Sequence, residues 1–354
     1  MSLMRPSSPH THSASSISST SSVMRTVVLA TLPGLIALTH FFGVGSILNL
    51  LLAIIFCLGF ETLALKLRKK PVLFYLGDYS ALVTAILLAL AVPPYAPWWL
   101  IATGSFFAIV VAKHLYGGLG FNPFNPAMVG YVVLLISFPV EMTQWRIPAI
   151  EGLGYLPLLD SLNAIFAGAH LDGFTSATPL DAIKHNQGLT VEDLYATHSA
   201  FQSAKIAGTG WEWVNIGFLV GGLYLLYQKV FTWHAPVGML AALFILPVFF
   251  YDGGSSASAG SPFFHLFSGA TMLGAFFIIT DPVTSATSTL GRLIYGAAIG
   301  ALVFIIRVWG NYPDAVAFAV LLMNFAAPFI DYYTVPRTYG HERAQSALRK
   351  EDEH

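Results

Sequence analysis

Charge is what this sequence has least of. Of its 354 residues only 10% are Asp, Glu, Lys or Arg, 55% are hydrophobic, and the mean hydropathy is +0.67. A soluble domain carries about 25% charge, so the water-soluble classes are excluded and the chain reads as an all-α integral membrane protein. Cysteine is nearly absent too: Cys57 stands alone inside an apolar run. One thiol excludes an internal disulfide, Cys-ligated zinc and an iron–sulfur cluster held by this chain alone. His114, His234 and His265 are scattered singly at run ends, where histidines are usually interface residues, so no metal site is expected. Redox chemistry would need a non-cysteine cofactor. The net charge of −1 says little about partners, and no nucleic acid is expected.

What is abundant is apolar runs. They predict about ten transmembrane helices, at 26–43, 46–65, 76–93, 97–114, 124–140, 211–228, 235–250, 263–280, 292–309 and 313–332, near the roughly 17–25 residues that cross a bilayer. The organisation expected is a disordered cytoplasmic tail (1–24), a first five-helix repeat (25–140), a periplasmic loop (141–210), a second repeat (211–336) and a cytoplasmic tail (337–354). The Ser/Thr-rich start has almost no charge and no clear small-residue cleavage site, so it reads as a tail rather than a signal peptide.

Lys and Arg positions give the orientation. With the N-terminus inside, 13 of the 17 basic residues fall on the cytoplasmic side and only Arg146, Lys184, Lys205 and Arg307 outside, a positive-inside bias. Both termini are then cytoplasmic. The halves resemble each other. The third run of the first ends LALAVPPYAP and its fifth opens GFNPFNPAMVGYVVLL; the second half has FFIITDPVTSA and GNYPDAVAFAVLLMN in those places. Five is odd, so the expectation is two inverted five-helix repeats with a site near the midplane. Pro and Gly are also common at membrane helix ends, which would explain the match without a repeat.

One string occurs twice. Asp172–Pro179 reads DGFTSATP and Asp281–Ser288 reads DPVTSATS. In the first, Thr178 is a good N-cap, Pro179 suits the first helical position and Asp181 the third, so a capped helix start is expected. Free amides there would also suit a phosphate beside Thr178. No Ser-His-Asp arrangement lies nearby, and a lone Thr hydroxyl needs a base or metal to react.

The first string resembles the flavinylation motif of the RnfD/NqrB family. AKHLYGGLGFNPFNPAM, FFHLFSGATMLGAFFIITDPVTSATS and MNFAAPFIDYY also look like that family. The likeness spans about residues 25–336 and is closer to the RnfD branch, which belongs to the Rnf electron transport complex. It implies FMN joined to Thr178 through a phosphoester by a separate flavin transferase acting outside the cytoplasmic membrane, which would also supply the base or metal, so that Thr178 is an attachment point and the chain has no catalytic residue of its own. Asp172 and Gly173 would be part of what that enzyme reads, and Thr175 belongs to the same flavin-site string. It implies an electron-carrying translocase subunit, inactive alone, in the inner membrane with the other Rnf subunits, coupling electron flow between ferredoxin and NAD to Na+ or H+ movement. It also implies a second, noncovalent flavin, a riboflavin, around Asn122 and Asn125; plain capping is the alternative there. Thr287 falls on the cytoplasmic side, beyond an exterior transferase, so the second string is read as a helix break.

Acidic residues in membrane helices are costly and mark functional sites. Glu61 and Asp281 lead as ion-path candidates, followed by Asp78 and Asp331; the alternative is interfacial pairing with Lys66, Arg68 or Arg337. Arg307 reads as an anchor reaching back to the interface. Trp98, Trp99, Trp211 and Trp213 read as an interfacial belt on which a flavin could stack. The competing function is an inverted-repeat solute channel or transporter with no redox group, which would have no need of the long exterior loop.

Overall fold

The computed structural model describes residues 19–149, 156–168, 175–186, 188–256, 258–312 and 314–334. In chain order the helices are α1 (Thr20–Phe42), α2 (Gly45–Leu67), α3 (Val72–Leu76), α4 (Ser80–Ala91), α5 (Trp98–Phe106, continued by π-helical turns over Phe107–His114) and α6 (Pro126–Ser137). After these come α7 (Pro139–Thr143), α8 (Leu158–Ala167), α9 (Pro179–Lys184) and α10 (Val191–Thr197). The chain ends with α11 (Trp211–Tyr227), α12 (His234–Phe250), α13 (Pro262–Phe267), α14 (Thr271–Leu273, continued by π-helical turns over Gly274–Ile278), α15 (Thr289–Trp309) and α16 (Val316–Thr334). This is a helical membrane protein. The only strands among the described residues, β1 (Trp145–Arg146) and β2 (Thr175–Ser176), pair antiparallel with Trp145 opposite Ser176.

All ten apolar runs contain helix, but only α1, α2, α15 and α16 are long and apolar enough to cross a membrane. The expected third span, 76–93, shrinks to α4. Asp78 Oδ1 accepts from Ser80 N–H at 2.7 Å and starts the helix there, and Pro93–Pro94, lacking N–H groups, stops it. The expected fifth, 124–140, shrinks to α6 because Asn125 caps its start and Pro139 bars its continuation. The expected eighth, 263–280, is broken at Ser268–Ala270. Asn215 of α11 holds that break, donating through Nδ2 to the carbonyls of Phe267 and Gly269 at 2.8 and 3.0 Å.

The helices pair closely. The most extensive packing is α12 along α15, and α1 runs along α11. A Cβ on Gly296 would collide with the carbonyl of Ala235, and one on Gly221 with that of Ala30. Gly217/Gly221 and Gly296/Gly300 are therefore small-xxx-small contacts of the membrane type, a spacing that the sequence carries and that sequence reading missed. α6 packs on α16 and α2 on both α4 and α5.

The segment between the halves is bound to both of them. Ala149 N–H donates to the carbonyl of Phe41 at 2.7 Å, and the buried Arg146 guanidinium reaches Tyr95 Oη at 3.1 Å. On the other side Leu180, Ala182, Phe201 and Phe264 share a small core, and Lys184 Nζ donates to the carbonyl of Tyr312 at 2.9 Å. Gly208, at φ +146°, sits where any Cβ would meet the Pro179 ring.

Candidate functional site

Thr178 sits where β2 hands over to α9. Its backbone is extended (φ −68°, ψ 161°) and Pro179 opens the helix, as the Thr-Pro-x-Asp wording predicts. The capping box is complete: Asp181 N–H donates to Thr178 Oγ1 at 3.2 Å, and Thr178 N–H to Asp181 Oδ2 at 3.2 Å. The hydroxyl itself donates to Asp181 Oδ2 at 2.6 Å. The expected amide cradle for a phosphate is thinner than the sequence implied, because Pro179 has no N–H and the Asp181 amide is already taken.

The half-buried Thr178 borders a largely apolar cavity, walled by Trp145 and Trp211, Tyr131 of α6, Phe218 of α11 and Leu273 beside the broken eighth run. Trp145 and Trp211 meet edge to face at 4.9 Å between centroids, so planar aromatic surface lies on the same wall as the hydroxyl. Trp211 is buried rather than part of an interfacial belt, whereas Trp98 and Trp213 are exposed. Thr175 is in β2, paired with Arg146. Asp172 and Gly173 lie outside the described residues.

A second cavity runs between Asn122, Asn125, Ser80, Lys113, Asp281 and Phe277. Phe218 faces the first cavity, Phe277 the second, and their rings meet edge to face at 5.9 Å between centroids, a wall of aromatic carbon between the two. Asn122 is buried with its Nδ2 on the Phe124 carbonyl at 3.0 Å, while its Oδ1 has no partner. That orphan acceptor beside a cavity fits the donor edge of a polar heterocycle. Asn125 is occupied as the cap of α6, its Oδ1 accepting from Met128 N–H at 3.3 Å.

Glu61 does not pair with Lys66 or Arg68 as the alternative supposed; Arg337, the third partner named, lies outside the described residues. Glu61 lies at 2% exposure between Lys113, 2.8 Å from its Oε1, and His114, whose Nε2 is 3.0 Å from its Oε2 but off the line of a hydrogen bond. Lys113 Nζ also donates to Ser80 Oγ at 2.8 Å, and Ser80 Oγ to Asp78 Oδ1 at 2.6 Å. Glu61 and Asp78 are thus linked through Ser80 and Lys113 at the second cavity. Asp281 accepts from Thr284 Oγ1 at 3.0 Å and borders that cavity. Asp331 is apart from them, holding Thr287 N–H at 2.9 Å.

The two copies of the string differ in structure. In the second, Ser288 rather than Thr287 caps the following helix, α15, and Thr287 is exposed. Arg307 is no interfacial anchor. It is 3% exposed and donates to the carbonyls of His265 and Ser268 at 2.8 and 3.3 Å, lacing the broken eighth run. His114 and His265 are likewise buried, not interfacial. Sequence reading missed Lys113, Asn215 and Asn324 as well; a polar residue inside an otherwise apolar run was the available signal. No group of three or more His, Cys, Asp or Glu side chains that could hold a metal occurs among the described residues.

A family model described as the NQR2, RnfD, RnfE family matches residues 4–340. The chain is 60% identical over 350 residues to a protein of Cellvibrio japonicus (strain Ueda107), named as the D component among the subunits of an ion-translocating oxidoreductase complex, with 98% of each chain covered. It is 58% identical to the like-named protein of Ectopseudomonas mendocina (99% of each chain). It is 55% identical to that of Pseudomonas aeruginosa (strain UCBPP-PA14), covering 99% of this chain and 100% of the relative.

Proposed function

The chain belongs to the NQR2, RnfD, RnfE family, and from that premise we propose that it is the flavin-carrying membrane subunit of an ion-translocating oxidoreductase complex. Thr178 is the attachment point for FMN, joined through a phosphoester by a flavin transferase. The observation that carries this is the position of the Thr178 hydroxyl: it lies at the edge of a cavity whose wall includes Trp145 and Trp211. FMN bound there supplies a carrier able to exchange electrons singly or in pairs. Trp145 and Trp211 would hold its ring, and the apolar remainder of the wall would exclude water from it. With one cysteine in the chain, any iron–sulfur clusters of the complex belong to partner subunits.

Glu61 and Asp78, linked through Lys113 and Ser80 of the second cavity's wall, and Asp281, which lines that cavity itself, serve the path of the translocated Na+ or H+, with the Phe218–Phe277 contact as its barrier. Asp331, which accepts from Thr287 N–H, is the remaining candidate for that path. The same cavity takes a second, noncovalent flavin of the riboflavin type at Asn122. The body is two inverted five-helix repeats; the self-matching contacts α1 with α11 and α6 with α16 support that symmetry. Both termini face the cytoplasm of an inner-membrane protein and the 141–210 segment the periplasm. Lys113 weakens the charge count behind that orientation by one, since its ammonium is consumed in a buried pair.

The test is in-gel flavin fluorescence after coexpression with a flavin transferase. A band is expected from the wild-type chain and from Thr287→Ala, and none from Thr178→Ala. A band that survives Thr178→Ala, or an unlabelled wild type, refutes the attachment and leaves the solute-channel reading in its place.

A further inference from the structure

We propose that Asp181 is the general base of the attachment reaction, taking the proton from Thr178 Oγ1 as the phosphoester forms. The proposal rests on Thr178 being the attachment point. A threonine hydroxyl at neutral pH needs a proton acceptor within hydrogen-bond reach, and the sequence alone shows none in a triad-like arrangement. The fold supplies one. Thr178 Oγ1 donates to Asp181 Oδ2 at 2.6 Å, in the short range of a charge-assisted O–H···O bond. Asp181 N–H occupies one lone pair of the same oxygen at 3.2 Å. The proton's direction is thereby fixed, and the second lone pair is left for an incoming phosphorus.

The balance is that of a phosphoryl transfer. The Thr178 Oγ1–P bond forms while the phosphoanhydride P–O bond of a flavin dinucleotide, held by the transferase, breaks. The nucleoside monophosphate leaves with the electron pair of that bond. The hydroxyl proton passes to the Asp181 carboxylate and from there to solvent, and nothing is oxidised or reduced.

Two other threonines in the chain act as controls. Thr190 makes the same pair with Asp193, at 2.7 Å from hydroxyl to carboxylate, but both are exposed and neither borders the cavity beside Thr178. The pair by itself is a helix cap; the cavity with its aromatic wall is what sets Thr178 apart. Thr287, the look-alike, has Leu290 where Thr178 has Asp181.

Purified full-length protein, flavin transferase and flavin dinucleotide are combined, and the initial rate of label formation is read by in-gel fluorescence from about pH 6 to 9. Wild type is expected to show a flat profile. Asp181→Asn keeps an acceptor for the cap but cannot take the proton. It is expected to slow at least about tenfold at pH 7, given the roughly 10²–10⁴ of general-base catalysis, and to recover as pH rises. Asp181→Glu is expected to regain part of the rate, and Asp193→Asn to match wild type. Asp181→Asn at the wild-type rate, or slowed with a flat profile, overturns the proposal. A thermal melt of each variant separates misfolding from lost chemistry: a slowed Asp181→Asn with a wild-type melt and a rising profile supports the assignment. An unlabelled wild type refutes the attachment itself, a different failure from a wild type labelled no faster than Asp181→Asn.

Discussion

Asn125 at the start of α6 donates its backbone N–H to Asn324 Oδ1 in α16 at 3.1 Å, joining residues 199 positions apart. The same Asn324 side chain donates from Nδ2 to Tyr295 Oη at 2.7 Å and to the carbonyl of Thr284 at 3.1 Å. One buried amide thus ties the GFNPFNPAM turn to the second copy of the string.

Asn324→Leu strands the Asn125 N–H and the Thr284 carbonyl in apolar surroundings. Each such group costs about 1–3 kcal/mol, so a clear fall in melting temperature in detergent is expected while flavin labelling at Thr178 persists. An unchanged melt would show that the amide is dispensable.

The Glu61–Lys113 pair is buried on both sides, at 2% and 3% side-chain exposure. Removing one partner leaves an uncompensated charge, worth about 3–5 kcal/mol. Lys113→Met is therefore expected to destabilise strongly, and Glu61→Gln with Lys113→Met to recover much of the loss. A double-mutant cycle on denaturant melts measures this; additive losses would mean that the two side chains do not act as a pair.

What was legible in the sequence follows from which interactions are local. Thr178, Pro179 and Asp181 are neighbours, so the cap at α9 could be read directly from the wording. The ten apolar runs were legible for the same reason, since period and length are local properties. The break at Ser268–Ala270 was not: FFHLF is apolar, and what holds it open is Arg307 and Asn215 from other helices. Glu61 stands out in the sequence as a costly charge, but its partner Lys113 is 52 positions away, and only folding could choose it over the nearer Lys66 and Arg68. Trp145 escaped notice because its value lies in facing Trp211 and Thr178, a tertiary fact.

The glycine contacts predict a steep penalty for size. Gly300→Leu would drive a side chain into the Met239 carbonyl of α12, and overpacking costs about 1–3 kcal/mol or more. The variant should lose folded yield and melt earlier. Gly59→Leu, where a Cβ meets nothing within 4 Å, should behave as wild type in the same assay.

Lys184 adds a pH dependence. Burial lowers its pKa below the ordinary lysine value, with the Asp181 charge partly opposing. The folded state thus holds this proton less tightly than the unfolded chain. The resulting penalty is fully present at neutral pH and fades as pH rises from the folded value toward the unfolded one near about 10.4. Wild-type stability should gain over that window relative to Lys184→Met, measured as the difference between their melts at pH 7 and pH 10. Parallel melts would assign the lysine no such role.

Thr178 hangs between two anchors. Through the β1–β2 pairing its upstream side is fixed to Arg146 and so to Tyr95 in the first half; through α9 its downstream side is fixed to Tyr312 in the second. Only Ala177 stands between the strand and Thr178. Sliding of one half against the other would pull on those bonds, which makes the threonine a strain gauge mounted across the seam of the molecule.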